Sequence, residues 1–212
     1  MIRGFMFGVA CLLSLFAVNL AAEEAPVWQE GKHYEVLPYP VRTRDESKVE
    51  VVELFWYGCP HCYSFNPLIH SWAEKQDAGV DFWLSPAVFG KDWKVHAQAF
   101  YALEALGVRE KMHQPFFDAL VRDRKRLTNE DQLAAFFASQ GVTEEDFRKA
   151  YNSFSVKSKV DQADARGKSY RATGVPAMIV NGKYRISASS AGSNEAMLEV
   201  IDYLVAKERK QQ

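Results

Sequence analysis

The chain has 212 residues, of which 48 % are hydrophobic and 25 % charged, and its formal net charge is -1. This is ordinary globular material, enough for one sizeable core or two small ones. The near-neutral balance excludes the basic footprint of a nucleic-acid binder.

In chain order, Met1-Ile2-Arg3 gives a short positive start, and Phe5 to Leu20 is apolar apart from Gly8, Ser14 and Asn19. Small Ala21 and Ala22 precede acidic Glu23 and Glu24. The pattern predicts a secretory signal peptide over 1–22, cut after Ala21 or Ala22. An uncleaved anchor is the alternative, but the apolar run is slightly short of the roughly 20 residues that a span needs. Cys11 lies inside that run and would leave with the signal. The mature chain then keeps only Cys59 and Cys62, in an export compartment where disulfides persist.

Residues 25–32 read as a loose lead-in, and His33 to Leu37 as a short edge strand ahead of Pro38 and Pro40. Charged Arg42 to Lys48 makes a turn. Val49 to Trp56, rich in β-branched and aromatic residues, predicts a buried strand ended by Gly58. Cys62, Phe65, Ile69 and Trp72 then repeat at helical spacing, so a helix is expected from Cys59 to about Lys75, kinked at Pro67. A strand follows over Val80 to Ser85, stopped by Pro86.

From about Asp92 to Arg171 the pattern is helical throughout. Phe100, Leu103 and Leu106 share one face, ended by Gly107, and Phe116, Phe117, Leu120 and Val121 make the next. Thr128 or Asn129 caps a helix with Leu133, Phe136 and Phe137 inward and Gly141 at its end. Thr143 opens another with an acid-rich first turn, and Val156 to Tyr170 can be one more. The aromatics at these spacings are core residues, and the basic run Arg122 to Arg126 is a solvated helix end. Strand character returns at Ala177 to Val180. Asn181-Gly182 between two short apolar runs predicts a hairpin into Lys183 to Ile186, and a last helix spans about Asn194 to Lys207.

Cys59 and Cys62 stand two residues apart in "ELFWYGCPHCYSF". A disulfide closing so small a loop is a poor staple, because little unfolded-state entropy is removed. A metal would need two more ligands, and neither His61 nor His33, His70, His96 and His113 has ligand-like spacing. Redox chemistry accounts for more of the residues. A cysteine at a helix start meets free backbone donors and the positive end of the dipole, which favours thiolate. Cys59 would then be the exposed nucleophile and Cys62, one turn inside, the buried resolving thiol. His61 can add positive charge or a hydrogen bond to the Cys59 thiolate. Glu53 lies in the apolar strand leading into the site. Buried, its carboxyl would have a raised pKa and could shuttle a proton to Cys62; on an edge it would be a solvated bystander, and the strand alternates too weakly to decide.

"VVELFWYGCPHCYSF", "YNSF", "GVPAMIVNGKY" and the long helical middle together resemble the DsbA family of thiol-disulfide oxidoreductases over nearly the whole mature chain. The resemblance implies an α/β architecture, a thioredoxin fold interrupted by an all-helical domain. Its thioredoxin-like parts would be 23–86 and 172–212, and its insertion 87–171. It implies that Cys59 forms the mixed disulfide, with Pro60-His61 favouring an oxidase over an isomerase or reductase. Pro176 matches the family's cis-proline, and the backbone of Val175 before it could pair with a substrate strand beside Cys59. Glu53 matches the family's buried acid. Some members carry a basic residue on the neighbouring strand, whereas "VDFWLS" has no Lys or Arg at or beside Leu84. The expected activity is that of a periplasmic dithiol oxidase without cofactor or metal. Its partners would be reduced, unfolded secreted polypeptides and an inner-membrane DsbB-type quinone reductase, and its default state a monomer. A chaperone-like peptide-binding protein with incidental cysteines is the rival from another class.

Overall fold

The computed structural model describes Met1 and residues 28–211; apart from Met1, the expected signal peptide lies outside the described residues. In chain order they form β1 (Glu35–Val36), β2 (Val49–Phe55), α1 (Pro60–Ala73), β3 (Val80–Pro86), α2 (Lys91–Ala105) and α3 (Arg109–Phe117). A π-helical turn (Asp118–Arg122) follows, then α4 (Glu130–Ser139), α5 (Glu144–Tyr151), α6 (Phe154–Ser169), β4 (Ala177–Val180), β5 (Tyr184–Ser187), α7 (Ala188–Ala191) and α8 (Asn194–Arg209).

The strands make one sheet in the order β1-β5-β4-β2-β3. β2 and β3 run parallel, a pairing that needs a crossover, and α1 supplies it. The other pairings are antiparallel. β2 lies inside the sheet and all its residues are buried, which is why it reads as a weakly alternating run. Its two faces are nevertheless distinct. Val49 and Val51 pack with Phe65 and Ile69 of α1 and with Val200, Ile201 and Leu204 of α8. Val52 and Leu54 pack on the opposite face with Tyr170 and Ile179. Since side chains alternate along a strand, Glu53 falls on the α1 side with Val51.

A third core lies among the helices. Phe100, Leu103, Phe116, Phe117, Leu133, Phe137 and Phe147 join there, and the cluster continues without a break into Phe55, Tyr57, Cys59 and Cys62. The spacing-based assignment of these aromatics to packing holds, and the helical block reaches the cysteine pair directly.

Residues 181–183 join the paired Val180 and Tyr184, and Asn181 and Gly182 both take positive φ, 51° and 61°, as the turn closed by the Lys183 N–H on the Val180 carbonyl requires. Gly182 is needed twice over, because a Cβ there would stand 1.9 Å from the Val41 carbonyl oxygen. Asn129, not Thr128, caps α4, its Oδ1 accepting the Gln132 N–H at 3.0 Å.

Several boundaries differ from expectation. The first strand shrinks to two residues, because only Glu35 and Val36 reach β5. α1 keeps Pro67 inside it, as expected, but ends at Ala73, ahead of the expected Lys75. No helix was expected at 188–191, where Ser187 and Ser190 form a reciprocal capping box that nucleates one turn. The helix after Arg109 becomes a π turn from Asp118, where the Asp123 N–H reaches the Asp118 carbonyl at 2.8 Å.

Candidate active site

β2 delivers the chain into a tight turn in which the Cys59 N–H donates to the Trp56 carbonyl at 3.0 Å. Gly58 is required here by space, since a Cβ would stand 2.4 Å from the Trp56 ring. Cys59 is the N-cap of α1, in extended backbone conformation, and its Sγ accepts the Cys62 N–H at 3.4 Å. Pro60 occupies the first helical position, where a missing N–H costs nothing and the fixed φ suits the helix.

This placement lowers the Cys59 pKa to about 6. The largest cause is the hydrogen bond from the Cys62 side chain; backbone N–H groups of Cys62 and His61 add to it against the opposing effect of burial. The charge of His61, which the sequence suggested as one contribution, is the smallest of these causes, and His61 itself is exposed. Cys62 is fully buried, and Cys59, expected to be exposed, is itself only 8 % exposed because the Val175 segment lies against its sulfur. Its pKa is pushed far up, first by burial, then because its S–H is committed to Cys59, then by the negative charge of Glu53. Both cysteines are free thiols. The pair is thus polarised, one thiol prone to ionise and the other held protonated.

The segment before β4 closes over Cys59. The Val175–Pro176 peptide is cis, and the Cys59 S–H donates to the Val175 carbonyl at 3.6 Å. Beside it opens a cleft of about 440 Å³ bordered by His61, Gly174, Val175, Pro176, Arg185 and Ser187.

Glu53 is 2 % exposed. It stands in register with Leu84 on one side and Met178 on the other, so the strand position that could hold a basic partner holds a buried leucine. Among the described residues its carboxyl has no hydrogen-bond or ion-pair partner. Burial, and secondarily the charge of Cys59, raise its pKa to about 8. Glu53, Cys59, Pro60, His61, Cys62, Val175 and Pro176 therefore converge on one end of the sheet, although more than a hundred residues of chain separate the first from the last.

Two polar arrangements around the site were not singled out from sequence. The Tyr57 hydroxyl lies 2.8 Å from Nδ1 of His113, whose Nε2 lies 3.0 Å from Asn66 Oδ1. Asn66 Nδ2 donates onward to Gln114 at 3.0 Å. The other links Trp56 to His96. One clue was available: Asn66 sits at helical spacing from Cys62, on the buried face, where an amide needs a partner.

Comparison with known proteins gives a consistent neighbourhood. Residues 69–201 match the family model described as a DSBA-like thioredoxin domain, a segment that begins beyond the cysteine pair. A thiol:disulfide interchange protein DsbA of Pseudomonas syringae pv. tomato is 45 % identical over 200 residues, covering 94 % of each chain. The protein of the same name from Azotobacter vinelandii is 46 % identical over 201 residues, again 94 % of each. The crystal structure of Pseudomonas aeruginosa DsbA superposes with a TM-score of 0.84 at 46 % identity, over 87 % of this chain and 96 % of that one.

Proposed function

The chain belongs to the DsbA family of thiol:disulfide oxidoreductases, and from that premise we propose that Cys59 and Cys62 are its working pair and that Glu53 serves them as a proton relay. A client thiolate attacks Sγ of Cys59 in the disulfide form. The Cys59–Cys62 bond breaks, Cys62 leaves with the electron pair, and the proton it needs comes from Glu53, whose carboxyl is still mostly protonated at neutral pH. A second client thiolate then attacks the client sulfur of the mixed disulfide, and Cys59 leaves as a thiolate. The client gains a disulfide and the enzyme is reduced by two electrons.

The observation that carries this assignment is the polarisation of the pair, with Cys59 near 6 and Cys62 far above its ordinary range. A low-pKa thiol is a good leaving group, and a stabilised thiolate makes the disulfide a strong oxidant, a relation for which DsbA enzymes are the usual illustration. The Val175 carbonyl beside Cys59 and the cleft along Pro176 support backbone pairing with an extended client segment, which binds without sequence demand. Residues 23–86 and 172–212 are read as the catalytic thioredoxin-like unit and 87–171 as its helical insertion. The enzyme acts as a periplasmic monomer on reduced secreted polypeptides, and an inner-membrane quinone reductase of the DsbB type restores its disulfide.

The test is oxidation of a reduced, unfolded two-cysteine protein by stoichiometric oxidised enzyme. Disulfide transfer is expected from the parent and none from Cys59→Ser. Transfer by the variant would remove Cys59 from the role assigned to it.

A further inference from the structure

The Trp56 indole N–H donates to Nδ1 of His96 at 2.9 Å, and Nε2 of His96 lies 2.8 Å from the Leu127 carbonyl. A carbonyl only accepts, so Nε2 carries the hydrogen and Nδ1 is left to accept the indole. His96 is buried in α2 and satisfied on both sides. It therefore ties a side chain just ahead of the cysteine pair to the loop before α4. The indole it holds is itself packed tightly, stacked on Trp93 at 4.2 Å and 10° and lying against the backbone of Gly58. The Trp56 carbonyl in turn holds the Cys59 N–H.

We propose that His96 is a positioning residue for the Cys59 thiolate: by fixing the Trp56 indole it fixes the turn that aims Sγ at the start of α1. The proposal rests on Cys59 being the nucleophile. His96 touches neither the reacting sulfurs nor a client. Its effect passes through geometry, because the Cys62 N–H reaches Cys59 Sγ at 3.4 Å only while the turn holds Sγ over the start of α1, and such bonds weaken steeply when bent. Without an acceptor at His96 a partly buried indole N–H is left unpaired. The ring then moves to find another partner, and the turn moves with it.

Three variants of the full protein test this in the reduced form. His96→Leu removes both polar atoms. His96→Gln offers an oxygen to the indole and an amide N–H to Leu127. Trp56→Phe removes the donor but keeps an aromatic ring. The readouts are the thiolate titration of Cys59 by ultraviolet absorbance, the equilibrium with glutathione, and the proton resonance of the Trp56 indole N–H. His96→Leu and Trp56→Phe are expected to raise the Cys59 midpoint by about half a unit and to weaken the oxidant about threefold at equilibrium. His96→Gln should keep the parent midpoint and the hydrogen-bonded indole resonance. A folded His96→Leu protein with the parent's midpoint would overturn the proposal, leaving His96 a merely structural residue; so would a His96→Gln protein that behaves like His96→Leu. If His96→Leu does not fold, Trp56→Phe decides alone, and an unchanged midpoint there has the same consequence. Loss of the nucleophile assignment would appear separately, as alkylation of Cys62 ahead of Cys59 in the parent.

Discussion

Glu53 occupies a strand position between Leu84 and Met178 with no opposite charge on either side, and its pKa of about 8 follows mainly from burial. The consequence for stability has a definite sign. Between the ordinary glutamate value of about 4.3 and the folded value, the unfolded chain has released this proton and the folded chain still holds it. Stability therefore falls as pH rises through that window. In the oxidised protein, where no Cys59 thiolate complicates the balance, Glu53→Gln is expected to be more stable than the parent by roughly 3 kcal/mol at pH 7 and about equal near pH 4. Urea melts at both pH values measure this. The same variant should slow disulfide exchange near neutral pH while leaving Cys59 ionisation largely intact, because glutamine cannot pass a proton to Cys62. A pH–rate profile identical to the parent's would make Glu53 a bystander in the chemistry, whatever it does to stability.

At the scale of the element, the start of α1 and the turn before it act together. Gly58 leaves no room for a side chain against the Trp56 ring. Gly58→Ala should cost about 1–3 kcal/mol through this crowding, measurable as a lower urea midpoint, and Trp56→Ala in the same chain should recover part of it. The N-terminus of α1 also couples redox state to stability. Cys59 has a folded pKa of about 6, below the unfolded value of about 8.5. Its thiolate stabilises the folded reduced protein in full above pH 8.5 or so, and that contribution is lost as pH falls through the folded value. The oxidised protein has no thiolate, and its small disulfide loop offers little entropic compensation. The reduced form is therefore expected to outlast the oxidised form in urea by about 1 kcal/mol at pH 7, with the gap closing by about pH 5. An oxidised form that is the more stable at neutral pH would contradict the oxidase mechanism and favour a reductase.

At the scale of the whole molecule, the helical insertion is joined to the cysteine pair by one continuous core, and His113 is the polar pin through that junction. Its Nε2–H must donate to Asn66 Oδ1, so Nδ1 accepts from the Tyr57 hydroxyl. Burial, aided by the charges of His70 and Arg109, lowers its pKa to about 3, so it stays neutral. The pin thus connects the end of β2, the active-site helix α1 and α3. Replacing it by leucine leaves the Tyr57 hydroxyl and the Asn66 oxygen buried without partners, at an expected cost of about 3 kcal/mol. Denaturant melts measure the loss, and hydrogen exchange should show it spread across α1 and α3 rather than confined to one of them.

The order of strands and helices was present in the sequence, because apolar spacing, the Asn-Gly turn and capping residues act within a few positions of one another. The same locality made the cysteine pair stand out: Cys59, Pro60 and Cys62 meet their helix N-terminus inside a single turn. Glu53 marked the limit. Whether its carboxyl faced α1 or solvent depended on which strands flanked β2 and which face each helix covered, and the weak alternation of a fully buried strand carries no record of that. His96 and His113 went unrecognised for the same reason. Each is defined by partners 31 to 56 residues away, and no spacing along the chain encodes such a bond. Val175 could be placed beside Cys59 only through family resemblance, since 116 residues separate them. Local chemistry was thus set by local sequence, whereas the facing of Glu53 and the partners of the buried imidazoles were decided by packing, where a buried polar atom is positioned by whatever distant segment must satisfy it.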